Sequence, residues 1–234
     1  GHMVIRDDAG ETVLITPRII IGADGPRSKT ALWCGASDRN LLPAAQYKMA
    51  LCSPMNHTEV YLSPHIYGGY GWLFPKGDNA NVGLGIRRNG SNPRRIHALL
   101  GEFMEKLKKE GKIKGAPLGS TAGWIPSKPL DKAVYGNILL AGDAAGHTHP
   151  ITGAGIFTAV SCGRMAGSWA TEAIIKDDLG ILAEYDYEWQ DLFGHTLNRA
   201  HEKRQLMERE WDRFHQVIKS CWIGFREYYQ DGSP

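Results

Sequence analysis

The sequence predicts a mixed α/β chain, and three observations carry that prediction. Two apolar runs, Ile19-Ile20-Ile21 and Ile138-Leu139-Leu140, each give way to a glycine and then an aspartate before helix-forming residues, the pattern of a strand, a tight turn and a helix. Between them, residues 47–86 alternate apolar and polar side chains in short bursts separated by Gly, Pro and Asn, as antiparallel strands do. Beyond Asp177-Asp178 the chain is charged, aromatic and free of proline until its last residue, which predicts a helical C-terminus.

Taken in order, Val4–Ile15 reads as a hairpin turning at Asp7-Asp8-Ala9-Gly10 and leading into the strand 19–21. Pro26 suits the first turn of a short helix running through Leu32. Strands are expected at Tyr47–Cys52, Glu59–Leu62, Tyr70–Phe74 and Asn81–Ile86, with Pro75–Asn79 as the turn between the last two. In the last strand Val82, Leu84 and Ile86 alternate with Asn81, Gly83 and Gly85, so the two glycines read as strand positions packed closely by a neighbour. Asn92-Pro93 begins a helix whose Ile96, Leu99, Leu100, Phe103 and Leu107 share one face, supported by Glu102–Lys106 and Glu105–Lys109 pairs and ended by Gly111.

From Gly119–Leu130 the chain returns to a strand at 137–142 and then a helix with Gly155, Ala159, Gly163 and Gly167 at every fourth position. That stripe is expected to let the helix lie close on a sheet or another helix. Two further helices are expected at about 181–193 and 196–229.

Composition sets outer bounds. At 234 residues there is length for one large domain or two small ones, and 42% hydrophobic with 22% charged residues is ordinary for a globular protein. A net charge of +2 does not argue for nucleic acid. The four cysteines (34, 52, 162, 221) lie far apart, which fits a reducing cytoplasm and provides neither an iron–sulfur nor a zinc site. The most apolar window, 151–175, is interrupted by Arg164 and Glu172 and does not read as a membrane span.

Three segments carry chemistry, the first of them running from Gly142 through Ile156. Gly142-Asp143 puts one carboxylate at the C-terminal end of a buried strand, where α/β folds bind ligands. Pro150-x-x-Gly153-Ala154-Gly155-Ile156 follows, a bend whose glycines admit close approach of a flat ligand, with a helix N-terminus behind it. Gly22-Ala23-Asp24-Gly25 is a second strand-to-helix turn, and Tyr70-Gly-Trp72-Leu-Phe74-Pro-Lys-Gly77 places three aromatics on one face of a strand.

Taken in their order along the chain (22–25, 70–77, 142–156) and at about their spacing, the three segments resemble motifs of geranylgeranyl reductase-like FAD-dependent oxidoreductases, within the flavoprotein monooxygenase superfamily. The resemblance covers most of residues 4–176. It implies a partial FAD-binding domain at 4–46, continued at 121–176, an antiparallel-sheet substrate domain at 47–120, and a helical region at 177–234. It assigns Gly142, Asp143, Pro150, Gly153, Ala154, Gly155 and Ile156 to the flavin, Asp143 to its ribityl chain, and Asp24 and Gly25 to the phosphate side. Tyr70, Trp72 and Phe74 become walls of a substrate cavity above the flavin, with Trp124 a further candidate. The implied reaction is reduction of isolated carbon–carbon double bonds in isoprenoid chains, with electrons from NAD(P)H or a ferredoxin-like protein. Such a lipid substrate is compatible with peripheral membrane contact by a cytoplasmic enzyme. The family's opening Gly-x-Gly-x-x-Gly turn is absent, and Gly1-His2-Met3 resembles a cloning scar. The chain is therefore expected to be the C-terminal portion of a longer flavoenzyme, holding FAD weakly or not at all by itself.

Each residue also has a plainer reading. Asp143 and Asp24 suit helix caps or turns. Tyr70, Trp72 and Phe74 suit a core stripe as well as a cavity wall. His147 and His149 lack further ligands for a metal and are expected to be loop residues bonding backbone, although proton donation near a flavin also suits them. Lys76 is expected in solvent and Cys52 in packing. No proton donor is assigned. Two other functions remain open: a flavin-dependent monooxygenase, halogenase or dehydrogenase acting on an aromatic or small substrate, and a cofactor-free, inactive fragment.

Overall fold

A computed structural model of the chain describes residues 2–36, 40–87 and 96–230. In order these form strands β1 (Met3–Arg6), β2 (Thr12–Ile15) and β3 (Ile20–Gly22), helix α1 (Lys29–Trp33), then strands β4 (Leu42–Leu51), β5 (Glu59–Tyr61), β6 (Tyr70–Lys76) and β7 (Asn79–Gly85). Helix α2 (Ile96–Lys109) and strands β8 (Ile113–Ile125), β9 (Val134–Tyr135) and β10 (Ile138–Leu140) follow. The remainder is helical: α3 (Ile156–Ile175), α4 (Ala183–Trp189), α5 (His195–Arg209) and α6 (Phe214–Cys221). The mixed α/β class, with antiparallel sheet and helical C-terminus, is the one the sequence predicts.

Contacts group the chain into two units, Gly1–Arg39 with Lys128–Thr148 and Ala154–Leu197, and Asn40–Ser127 with His149–Gly153 and Asn198–Pro234. In the first unit β10 pairs in parallel with β3 and antiparallel with β9, while β1 and β2 form a separate hairpin. α3 packs through Cys162, Met165, Ala166, Ala170 and Ala173, a helical stripe set by the 3.6-residue period, against Leu139, Leu140, Leu182, Tyr185 and Trp189. The Tyr185 hydroxyl donates 2.8 Å to the Leu140 carbonyl inside this core. The small-residue stripe behaves differently from the expectation: a Cβ at Gly163 or Gly167 would meet open space, because the packed face of α3 is the cysteine–methionine–alanine one.

In the second unit one antiparallel sheet runs β5-β6-β7-β4-β8. α2 covers one side, burying Leu99, Leu100, Phe103, Met104 and Leu107 against Met49, Leu73, Val82 and Leu84. A second cluster joins Ile151 to Met207, Trp211, Phe214, Ile218 and Trp222 from α5 and the residues after it.

The largest departure from the expected elements is β8. Its Gly115, Pro117, Gly119 and Gly123 break any alternation, yet it pairs with β4 from Leu42↔Ile125 to Leu51↔Ile113, with a register shift between Lys48 and Ala50. Pairing by a neighbour, rather than its own pattern, makes it a strand. The expected helix at 196–229 is broken instead into α5, a short turn at Trp211–Arg213, α6, and a last turn at Arg226–Tyr229. Pro26 stands before α1, whose cap is Ser28. The expected start of α2 at Asn92-Pro93 lies outside the described residues. Cys52 is exposed, because it follows the last residue of β4 rather than sitting within it.

Tyr185→Phe is expected to leave the buried Leu140 carbonyl without its donor and to cost about 1–3 kcal/mol in urea unfolding. An unchanged midpoint would mean that the hydroxyl contributes nothing to holding α4 on β10.

Candidate functional site

After Leu140 the backbone turns through a short 3-10 segment, Gly142–Ala145, and leaves it at Gly146 in the left-handed region. Inside this turn the His147 N–H donates to the Gly142 carbonyl at 3.0 Å, and Gly146 N–H to Asp143 at 3.1 Å. Asp143 is half-buried. Its Oδ1 accepts the Thr148 hydroxyl at 2.5 Å, and no described residue bonds Oδ2. Asp143 therefore does not cap α3, and among the described residues its second carboxylate oxygen keeps its acceptor capacity.

α3 begins at Gly155, which provides no side-chain cap. A Cβ on Gly155 would come 2.9 Å from Thr148 Oγ1, so a larger residue would crowd the turn. Ile156 and Phe157 follow at 86% and 75% exposure, leaving the N-terminus of a 20-residue helix uncovered. An open helix start accepts electron-rich groups, and a free carboxylate oxygen accepts hydroxyl donors. Within this unit Gly142, Asp143, Ala154, Gly155 and Ile156 thus fit the electron-rich ring edge and polyol chain of a flavin.

The turn 149–153 belongs to the second unit. His149 Nδ1 accepts from the Ile151 and Thr152 N–H groups at 3.3 Å each, which makes His149 the backbone-bonding loop residue that its sequence suggests; burial lowers its pKa. Gly153 closes the turn with an N–H to the His149 carbonyl at 2.9 Å. His147 departs from expectation. Its ring is wholly buried 4.6 Å from the Trp189 ring, and neither nitrogen has a partner among the described residues. Burial alone pushes its pKa down to about 3.

In the same second unit, strand register puts Tyr70, Trp72 and Phe74 on one sheet face with Gly83, Gly85, Ala44, Gln46 and Gly123. The Trp72 indole lies over β7: a Cβ on Gly83 would come 2.5 Å from it. Trp72 stacks on Phe74 with centroids 6.1 Å apart, and its N–H donates 3.2 Å to Gln46 Oε1. Tyr70 packs edge-on against Trp222 at 4.8 Å and donates 2.5 Å to the Thr152 carbonyl, with burial raising its pKa to about 12. Trp124 pairs with Pro43 and faces the opposite side of the sheet, so it does not join this aromatic surface. The close packing that the sequence suggests at Gly83 is that of Trp72; Gln46 carries no signal of its own in sequence, and pairing across three strands brings it to Trp72.

Asp24 spends both oxygens locally. Oδ1 accepts from the Ser28 hydroxyl at 2.5 Å, and Oδ2 from the Lys29 and Thr30 N–H groups at 2.8 and 3.1 Å. Burial raises its pKa, but the bonds from Ser28, Thr30 and Lys29 outweigh that and the net shift is downward. Those are the bonds of a turn-and-cap residue, and Gly25 beside it has a positive φ. Lys76 is exposed. Among the described residues no group of three or more His, Cys, Asp or Glu is arranged to hold a metal, and no helix is long and apolar enough to cross a membrane.

Comparison with known proteins bears on the fold and the family. The fold is that of flavoproteins: a geranylgeranyl bacteriochlorophyll reductase-like protein from Thermoplasma acidophilum superposes with a TM-score of 0.74 at 27% identity, covering 94% of this chain and 63% of that one. A flavin-dependent halogenase shares the fold at a TM-score of 0.65 and 17% identity. More narrowly, residues 41–122 match the geranylgeranyl reductase catalytic domain, and the chain is geranylgeranyl reductase-like. The digeranylgeranylglycerophospholipid reductase of Methanocaldococcus jannaschii is 33% identical over 220 residues, 89% of this chain and 56% of that protein. That of Methanopyrus kandleri is 35% identical over 203 residues, 82% and 54% respectively. The chain spans about half the length of these relatives.

Two outcomes follow from the geometry. Gly83→Ala is expected to displace the Trp72 indole, costing roughly 1–3 kcal/mol by overpacking, with a shift in tryptophan emission. Unchanged emission and stability would mean that the indole does not rest on β7. His147 must be neutral when folded, with a pKa near 3 against an ordinary 6.5. Its contribution is thus intact above pH 6.5 and is lost as pH falls toward 3, by up to about 1.4 kcal/mol per pH unit. His147→Leu is expected to flatten stability across that window by one proton, as measured by urea unfolding at several pH values.

Proposed function

We propose that the protein to which this chain belongs is an FAD-dependent oxidoreductase that reduces carbon–carbon double bonds in the isoprenoid chains of lipids. The observation that carries this reading is the Tyr70–Trp72–Phe74 face. Its polar atoms are tied back, Tyr70 to Thr152 and Trp72 to Gln46, so what remains toward a ligand is hydrocarbon. A chain with no polar groups loses nothing against such a wall, whereas a hydroxylated aromatic would leave its own donors unmatched. The names of the relatives support the same substrate class.

In this reading Asp143 would accept a hydrogen bond from the ribityl chain through its second carboxylate oxygen. Backbone at Gly142, Ala154, Gly155 and Ile156 would accommodate the ring, with the start of α3 suited to its electron-rich edge; Pro150 and Gly153 keep the flavin role expected of them. Gly25 lies toward the phosphates, where Asp24 stabilises the turn rather than touching the cofactor. When bound and reduced, FAD supplies the hydride for the double bond. Tyr70, Trp72 and Phe74 orient the chain and exclude water, and the Tyr70 hydroxyl, already committed to Thr152, is not the proton source. NAD(P)H or a ferredoxin-like protein supplies the electrons, and a membrane-borne lipid substrate brings the enzyme to the membrane surface from the cytoplasm.

The test uses the complete enzyme, chemically reduced and mixed with a geranylgeranyl lipid. The expected product is the same lipid gaining a hydrogen pair per double bond; an oxygenated or halogenated small aromatic formed in preference would overturn the reading. In that enzyme Asp143→Ala is expected to weaken FAD binding by about 1.5–3 kcal/mol with the fold retained. Unchanged affinity by flavin titration would reduce Asp143 to a residue of the turn.

A further inference from the structure

Arg204 on α5 is 3% exposed, and its guanidinium is spent on carbonyls. Nη1 donates 2.8 Å to the Pro150 carbonyl, and Nη2 donates to the Gly68 carbonyl. The third nitrogen, Nε, faces Glu208 Oε1 at 2.8 Å as an ion pair one helical turn away. Glu208 is held in turn by Arg87, whose Nε lies 3.5 Å from Oε2, and its carbonyl accepts from the Tyr67 hydroxyl at 3.2 Å. All these residues belong to the second unit.

The two carbonyls come from two different turns. Gly68 precedes β6, the strand that carries Tyr70, Trp72 and Phe74. Pro150 belongs to the turn 149–153, and the Tyr70 hydroxyl on Thr152 ties the same pair of segments a second time. A buried charge that served only stability is often replaced by apolar packing without loss. A planar fork with fixed donor directions is needed where two acceptors must stay at a set separation.

We propose that Arg204 is a positioning residue that fixes the turn 149–153 to the entry of β6. It thereby sets the register between the flavin-side bend and the aromatic wall. The functional consequence rests on the flavin reading of Pro150 and Gly153; the mechanical one does not. Nothing in the sequence announces this role, since His201-Glu-Lys-Arg-Gln205 reads as a solvated stretch of helix.

Two variants test it. Arg204→Lys keeps a cation for Glu208 but loses the fork, and Arg204→Met removes the charge as well. Amide exchange is followed at Ile151, Thr152 and Gly153, whose N–H groups bond His149, with Leu73 and Val82 in the sheet as internal references. For Arg204→Lys, exchange at 151–153 is expected to rise about tenfold with the references unchanged. In the complete flavoenzyme the same variant is expected to shift the flavin's visible band and lower kcat about tenfold at unchanged KM, as misplacement does. If exchange at 151–153 stays at its original rate, or rises only in step with Leu73 and Val82, Arg204 is core packing and the proposal fails. Should Arg204→Met fail to fold, Arg204→Lys alone decides. Local loosening with an unaltered flavin band keeps Arg204 as the positioning residue of this turn and overturns instead the assignment of the turn to flavin.

Discussion

At Gly146 the backbone comes too near Lys128 for any side chain to intervene: a Cβ would lie 2.4 Å from the Lys128 carbonyl oxygen, and φ is +71°. Both the contact and the dihedral demand glycine. Because that approach is fixed, the Leu130 N–H reaches the Ala145 carbonyl at 3.0 Å, and the turn after β10 is anchored at both ends. Asp143 is inside the anchored stretch, so Thr148 finds it at bonding distance and its remaining oxygen has a defined direction. The Thr158 hydroxyl, one turn into α3, then bonds the His147 carbonyl at 2.6 Å and sets where that helix begins. A candidate ligand site made of one carboxylate and a helix start works only if both are rigid, and the Gly146 contact supplies the rigidity.

His147 shows the cost of that arrangement. The tight turn carries residue 147 inward, where the ring packs on Trp189 and neither nitrogen is hydrogen-bonded among the described residues. Buried polar atoms without partners are uncommon and unfavourable. Here the backbone path of the turn dictates the position, and the side chain follows it.

The parts of the fold that were legible in the sequence are those in which local pattern and tertiary environment agree. The helical stripe of α2 and the alternation of β7 both describe one buried face, and the described part of each element forms where the pattern puts it. The unreadable parts owe their structure to partners. β8 is a strand because β4 pairs with it along its length despite four turn-forming residues. The end of α5 at Arg209 has neither proline nor glycine to mark it; the Trp211 indole N–H instead reaches the Pro64 carbonyl at 3.0 Å, from a segment far away in sequence. The site divides in the same way. Gly142-Asp143 and Tyr70-Gly-Trp72-Leu-Phe74 are legible because contiguous residues make them, whereas Gln46, Gly83 and Arg204 join by pairing and packing that no short window contains. Asp24 and Asp143 make the contrast sharpest. Both are aspartates in a glycine turn between a strand and a helix, yet one accepts bonds from the start of α1 on both oxygens and the other keeps an oxygen free. The difference lies in Ser28, Lys29 and Thr30, which crowd donors around Asp24.

On the proposed reading, selectivity at the aromatic face would follow from what has been removed from it. A tryptophan and a tyrosine each bring a donor that, left unpaired on a ligand wall, would favour polar ligands and penalise hydrocarbon. Gln46 takes the one and the Thr152 carbonyl takes the other, while Gly83 makes the floor on which the indole lies flat. Tying back the donors has a second consequence, because the Tyr70 hydroxyl that makes the wall apolar is also a tie between β6 and the turn 149–153. The chemistry of the wall and the position of the turn therefore cannot change independently. A substitution such as Tyr70→Phe would keep the surface hydrocarbon but release the turn, and Arg204 would then hold Pro150 alone.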